Sequence, residues 1–155
     1  MKIAVLFFLF ALVLGCSPRP KPVGLRSWDD VQRIADGMML RAEFAPFLQS
    51  TDLSGISRDI TNQLEEFRAR WKKASIRSFY IETRVFSVDE HMAFIAEARK
   101  GWPLEMRSYD YRWNIRPDKI IVYRFDTRDP KNVSRADMCV GVFQRGGLWY
   151  FCGNY

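Results

Sequence analysis

Residues 138–152 (MCVGVFQRGGLWYFC) carry the clearest structural signal in the chain. Two apolar runs, at 138–144 and 148–152, flank an RGG sequence at 145–147. Glycines between two such runs supply the positive backbone φ angles that tight hairpin turns require. The stretch therefore predicts an antiparallel β-hairpin near the end of the chain.

The register of this hairpin predicts a disulfide bond. We place Phe143 opposite Leu148, a register that also puts Cys139 opposite Cys152. Facing Cα atoms in a non-hydrogen-bonded antiparallel pair are about 4.5 Å apart, and disulfides accept about 4.4–6.8 Å. The alternative is a pair of buried free thiols, and an oxidising compartment favours the disulfide.

Upstream of the hairpin, the apolar spacing predicts helices first and strands afterwards. Ser27 is the predicted N-cap of a helix that reaches Ala45 and ends at Pro46, and a second helix follows over residues 58–73. From Ser75 the spacing changes to two, which is typical of a strand. The remaining predicted elements are a short helix at 90–99 capped by Asp89, and strands at 105–115 and 119–126, with a loop at 127–132.

This order predicts an α+β domain, with N-terminal helices packed on one face of a curved, mainly antiparallel β-sheet. The final hairpin, VGVF at 140–143 followed by GLWY at 147–150, resembles the end of the NTF2-like or cystatin-like cone. The resemblance covers residues 28–153 and implies a sheet curved around a pocket. Other α+β sandwiches fit the same order of elements.

The first residues have the pattern of an export signal. Met1-Lys2 precedes an uncharged apolar run at 3–14, which is too short to span a hydrocarbon core of about 30 Å as a helix. The sequence LVLGC at 12–16 resembles the lipobox of bacterial lipoproteins, with Val13 where leucine is more usual. The alternatives are a plain secretory signal and an uncleaved anchor.

The lipobox resemblance implies cleavage after Gly15 and acylation of Cys16. It divides the chain into a signal peptide at 1–15, a lipidated cysteine with a Pro-rich spacer at 16–26, and a single domain at 27–155. Ser17 resembles the residue found after the cysteine of lipoproteins that move to the outer membrane. We therefore expect a cell-envelope protein that is lipid-anchored to the outer membrane and faces the periplasm.

The charge of the chain does not indicate a nucleic-acid partner. The formal net charge is +6, but the Lys and Arg residues are interspersed with acidic residues along the chain. Such a distribution is typical of solvated surfaces, and an exported protein rarely meets nucleic acid. The expected partners are membrane lipid, through acylated Cys16, and an envelope protein.

Most catalytic signatures are missing from the sequence. There is no CxxC, HExxH or Gly-x-Ser-x-Gly motif, no phosphate-binding glycine loop, and nothing that predicts a cofactor. His91 is the only histidine, so a site with several histidines around a metal is excluded. Its position beside Asp89 and Glu90 predicts a solvated residue in the first turn of a helix.

The strand predicted at 105–115 has an aromatic face that also holds an arginine. Such a face could line a cleft for an anionic or ring-bearing ligand. The alternative is an ordinary core face whose arginine reaches water at the edge of the sheet. The candidate ligand-binding residues are Arg107, Tyr109, Tyr111 and Trp113.

These observations favour a non-enzymatic, membrane-tethered binding or interaction domain, as an accessory of an envelope or secretion assembly. One alternative is a small NTF2-like pocket enzyme with His91 or a buried carboxylate as the base. Another is a periplasmic lipoprotein immunity protein, which only size and location favour.

Overall fold

The computed structural model describes residues 20–56, 80–101, 113–129 and 132–153. The signal peptide, Cys16 and the helix predicted at 58–73 lie outside these residues. The elements are α1 (Trp28–Arg41), α2 (Phe44–Gln49), β1 (Thr51–Asp52), β2 (Tyr80–Ser87), α3 (Val88–Ala98), a 3₁₀ turn (Arg99–Gly101), β3 (Lys119–Asp129), β4 (Asn132–Arg145) and β5 (Leu148–Cys152).

In the described part of the chain, five strands form one sheet in the order β1-β5-β4-β3-β2. The β1–β5 pair is parallel, and the other three pairs are antiparallel. Helices pack on this sheet, and the predicted α+β class is confirmed. Within the same residues, no helix is both long and apolar enough to cross a membrane.

Helix α1 begins as the sequence predicts and ends earlier. The Ser27 hydroxyl accepts a hydrogen bond from the Asp30 amide at 3.1 Å, which satisfies one of the free amides of the first turn. Ala42 adopts a left-handed conformation and ends the helix after Arg41. The predicted end at Pro46 was wrong, because Pro46 lies in the first turn of α2, where a missing amide costs little.

Helix α1 covers one face of the sheet with a continuous apolar core. Alternate residues of β3 point to this face, and the core combines them with one stripe of α1 and with β4 and β5. The buried Tyr123 donates a hydrogen bond from its hydroxyl to Asp36 at 2.6 Å, so its one polar atom is satisfied. The main members are Val31, Ile34, Ala35, Met38, Ile121, Tyr123, Phe125, Val140, Val142 and Phe151.

The C-terminal hairpin forms as predicted but in a different register. Gly146 and Gly147 have φ angles of 60° and 78°, and they form a two-residue turn that pairs Arg145 with Leu148. Two consecutive glycines with positive φ favour this tighter turn, whose twist matches that of the strands. The predicted pairing of Phe143 with Leu148 was therefore wrong, and Phe143 lies opposite Tyr150.

The register separates the two cysteines. Continuing the observed pairing by one residue places Cys152 opposite Gly141, two positions along β4 from Cys139. The predicted disulfide between Cys139 and Cys152 is not formed in the structure. Burial raises the pKa of the Cys152 thiol to about 12, so this thiol stays protonated at neutral pH.

Most other differences from the predicted boundaries are elements that extend further along the chain than predicted. β3 and β4 continue through most of the loop predicted at 127–132 and pair as far as Asp129 and Asn132. Residues 51–52, which lie between the two predicted helices, form β1. At the end of the predicted spacer, Leu25 is buried and exchanges two backbone hydrogen bonds with Trp149, at 2.8 and 2.9 Å.

Candidate functional site

Helix α3 lies on the face of the sheet opposite to α1 and places the only histidine in the interior. Ser87 caps the helix, and its hydroxyl accepts from the Glu90 amide while the Glu90 carboxylate accepts from the Ser87 amide. The predicted cap at Asp89 was wrong by two residues. His91 and Ile95, four residues apart, share the inward side of the helix and are both buried.

The predicted exposure of His91 was wrong, since its relative accessibility is 2%. Its Nε2 lies 3.5 Å from the Cys139 sulfur on β4, and its ring packs near the ring of Phe86. Burial lowers the pKa of His91 from its ordinary value; nearby Asp137 opposes this shift and Arg99 adds to it. His91 is therefore a neutral imidazole at pH 7, able to donate or accept a hydrogen bond.

An ionic network lies next to His91 and Cys139 on the same face of the sheet. Arg124 makes a bidentate interaction with Asp137 at 2.8 and 2.9 Å and reaches Glu82 at 3.1 Å. Its guanidinium lies 5.6 Å from the centre of the Phe94 ring of α3. The hydrogen bond to Asp137 raises the pKa of Arg124, so the guanidinium stays charged.

Trp113 closes the other side of this region. A Cβ atom at Gly141 would lie 2.7 Å from Cζ3 of Trp113, so the indole rests directly on the glycine backbone. Asn114 fixes this segment, because its side-chain amide donates to the carbonyls of Asp52 and Ser54 at 2.6 and 3.0 Å. Its side-chain oxygen also accepts from the Gly153 amide at 2.8 Å.

A cavity of about 440 Å³ lies between α3, Trp113 and the start of β3. Its described lining is mostly apolar, with His91 as a buried polar group and Arg116 as a cation. Mostly apolar walls with a few polar groups are typical of small-molecule binding sites of this size. The described lining residues are Val88, His91, Met92, Trp113, Arg116, Pro117 and Ile120.

Arg116, the charged residue in the described lining, is largely exposed. Its guanidinium lies 3.9 Å from the Asp89 carboxylate, and the two side chains are 80% and 95% exposed. An ion pair that is this long and this exposed contributes little to stability. The guanidinium is thus weakly held and can exchange its partner.

Of the residues that the sequence singled out, Trp113 and His91 line one cavity. Trp113 is half-buried, and Asn114 and Ile115 form a bend rather than the end of the predicted strand. Arg107, Tyr109 and Tyr111 lie outside the described residues.

The sequence analysis missed the part of the lining that α3 and the loop before β3 supply. One signal was readable: Ser87 and Glu90 have the spacing of a capping box, and a helix starting there puts Val88, His91 and Ile95 on one side. Nothing in the local pattern marked Arg116 or Pro117, because their position depends on the contacts of Asn114.

Within the described ranges, no group of three or more His, Cys, Asp or Glu residues is arranged to hold a metal ion. No family model matches the chain, and neither a curated protein nor a solved structure is significantly similar to it. The resemblance to the NTF2-like family and the lipobox resemblance both stay predictions.

Proposed function

We propose that the protein is an envelope lipoprotein, anchored through Cys16, whose folded domain binds a small molecule without transforming it. The observation that carries the binding proposal is the apolar cavity of about 440 Å³ with His91 and Arg116 in its lining. Apolar walls supply affinity through burial, and a few polar groups fix the orientation of the ligand.

The two faces of the sheet support a binding role for α3. On the α1 face, apolar side chains from the helix and the strands form one continuous buried cluster. On the α3 face, one helix, one indole and a loop enclose open volume next to a buried histidine. Apolar surface that borders such a space is exposed to water, and a bound molecule would cover it.

The binding proposal is tested by the molecule that the protein carries when it is purified. We expect organic extraction of the full chain to release a small molecule that mass spectrometry detects. Met92→Trp should deplete it, because Met92 is 50% exposed in the lining and an indole there would fill the cavity at little cost in stability. Ala96→Trp, at an exposed position of the same helix, is the matched control.

The proposal fails if the extracts of the wild type and Met92→Trp are the same while both proteins melt at the same temperature. A molecule retained by Ala96→Trp and lost from Met92→Trp would support it.

The anchoring proposal has a separate test. Cys16→Ser should abolish incorporation of a labelled fatty acid and leave an uncleaved precursor, because the thiol is the atom that the lipid would modify. Stable anchoring needs two or more acyl chains. A Cys16→Ser protein that also lacks the signal peptide should therefore be absent from the membrane fraction. Equal labelling of the two proteins would contradict the proposal.

One observation favours a second candidate, a small pocket enzyme. His91 is buried and neutral at the cavity wall, with the Cys139 thiol at 3.5 Å, which is an arrangement that can move a proton. If the protein is an enzyme, wild type should convert the co-purified molecule, and His91→Gln should not. Recovery of the molecule unchanged after incubation with wild type favours the binding role.

A further inference from the structure

Resting on the binding function proposed above, we infer that the cavity takes an amphiphilic monocarboxylate. Its apolar chain would lie along Trp113, Ile120 and Met92, and its carboxylate would bind the guanidinium of Arg116. Three features of the described lining support this ligand: its apolar walls, the weak ion pair of Arg116 and the absence of further charge.

The walls require an apolar body. Five of the seven described lining residues present hydrocarbon, sulfur or indole surface, and burying such surface contributes roughly 25 cal/mol per Å². A small polar molecule would cover this apolar surface without placing apolar groups against it. The ligand therefore needs a hydrocarbon part that fills the interior between α3 and Trp113.

The rim requires an acceptor with negative charge. Arg116 is the cation in the described lining, and its planar guanidinium matches a carboxylate with two parallel hydrogen bonds. Its present partner, the Asp89 carboxylate, is 3.9 Å away and 95% exposed. An incoming carboxylate can displace Asp89 at small cost, because Asp89 then returns to water.

The same lining disfavours other ligand classes. A phosphate ester or another polyanion would place two or more charges beside one guanidinium, with His91 neutral at pH 7. A cationic ligand would find no carboxylate among the described lining residues, and Arg116 would repel it. One negative charge on an apolar body fits both the walls and the rim.

Isothermal titration calorimetry can test this with three probes: octanoate, octanol and acetate. Octanoate has both the chain and the charge, octanol has the chain alone, and acetate has the charge alone. The full chain is used in lipid nanodiscs, with empty nanodiscs as the blank for probe that enters the bilayer. We expect octanoate to bind at least about tenfold more tightly than octanol, with no measurable binding of acetate.

Two substitutions at the rim should act in opposite directions. Arg116→Gln should weaken octanoate to the level of octanol, whereas Asp89→Asn should strengthen it severalfold by freeing the guanidinium. Arg33→Gln is the matched control, because Arg33 is an exposed arginine on α1, paired with Asp30 at 3.0 Å. It should leave all three affinities unchanged.

The outcomes separate this inference from the binding function. Equal binding of octanoate and octanol, unaffected by Arg116→Gln, would overturn the carboxylate inference and leave an apolar binding site. No binding of any probe would also overturn it, while the co-purified molecule still decides whether the cavity binds a ligand. Loss of octanoate binding in Arg33→Gln as well would show a general effect of charge and would equally overturn the inference.

Discussion

The two faces of the sheet are built from alternate residues of the same strand, yet they do different things. Ile121 faces α1 in a closed core, and its neighbour Ile120 faces the cavity beside α3. The α1 face satisfies its buried Tyr123 hydroxyl with one short hydrogen bond, whereas the α3 face holds a neutral histidine, a thiol and open volume. One face is thus a closed core that stabilises the fold, and the other borders a cavity.

The largest expected effect comes from truncating these two isoleucines. Ile121→Ala should lower the free energy of unfolding by about 4 kcal/mol, because it leaves a cavity in a packed core. Ile120→Ala should cost less, about 2 kcal/mol, because Ile120 is buried but the space it leaves would join the neighbouring cavity and would not stay a closed void. Urea unfolding followed by tryptophan fluorescence measures both values. Equal losses would mean that the two faces are packed alike.

The second test concerns the contact that closes the cavity. Gly141→Ala should destabilise the protein by about 2 kcal/mol, because the new methyl group would overlap the Trp113 ring at 2.7 Å. The same substitution in a Trp113→Ala background should cost much less, since the ring is no longer there. A double-mutant cycle of melting temperatures gives this coupling. The same loss of stability in both backgrounds would show that the strand backbone, and not the contact with the Trp113 indole, requires glycine at position 141.

These differences explain how much the sequence could predict. The period-two spacing from Ser75, the Ser27 cap and the glycines at 146–147 are local signals. They predicted the class and most elements. The core of α1 was likewise visible as a stripe at helical spacing. Such features depend on neighbouring residues in the chain, so the sequence is sufficient for them.

The α3 face was harder to predict because it depends on long-range contacts. The hairpin register shifted by two positions once the turn closed on Gly146 and Gly147, and this separated Cys139 from Cys152. His91 was expected in solvent because it follows two acidic residues, yet the true helix start turns it inward. The acidic residues beside His91 did not predict its exposure, because the capping box of Ser87 and Glu90 determines where the helix begins.

A smaller effect is expected from the hydroxyl that completes the α1 face. Tyr123→Phe removes the donor to Asp36 and should cost about 1–2 kcal/mol, because the half-buried Asp36 carboxylate loses its partner. Tyr80→Phe is the matched control: its hydroxyl contacts Thr83 at an exposed site, and its loss should be close to zero. Thermal unfolding compares the two. If Tyr123→Phe leaves the stability unchanged, water replaces the tyrosine hydroxyl.

The smallest effect is a pH dependence that belongs to the α3 face. The pKa of His91 is lower in the folded chain than in the unfolded chain, so the unfolded chain binds the proton first as the pH falls. Stability should therefore decrease below about pH 6.5 and level off once folded His91 also binds a proton. His91→Gln should lack this slope between about pH 5 and 7, where carboxylates hardly titrate. A slope of the same size in the variant would assign it to other groups.

NMR titration of His91 tests most directly whether the α3 face holds a buried neutral imidazole at a cavity wall. His91 is the only histidine, so its ring carbon and nitrogen resonances can be followed by NMR without ambiguity. The structure predicts that they titrate with a midpoint clearly below the ordinary value of about 6.5. A midpoint at or above that value would place the ring in solvent or beside an unpaired carboxylate, and would contradict a buried neutral imidazole on this face.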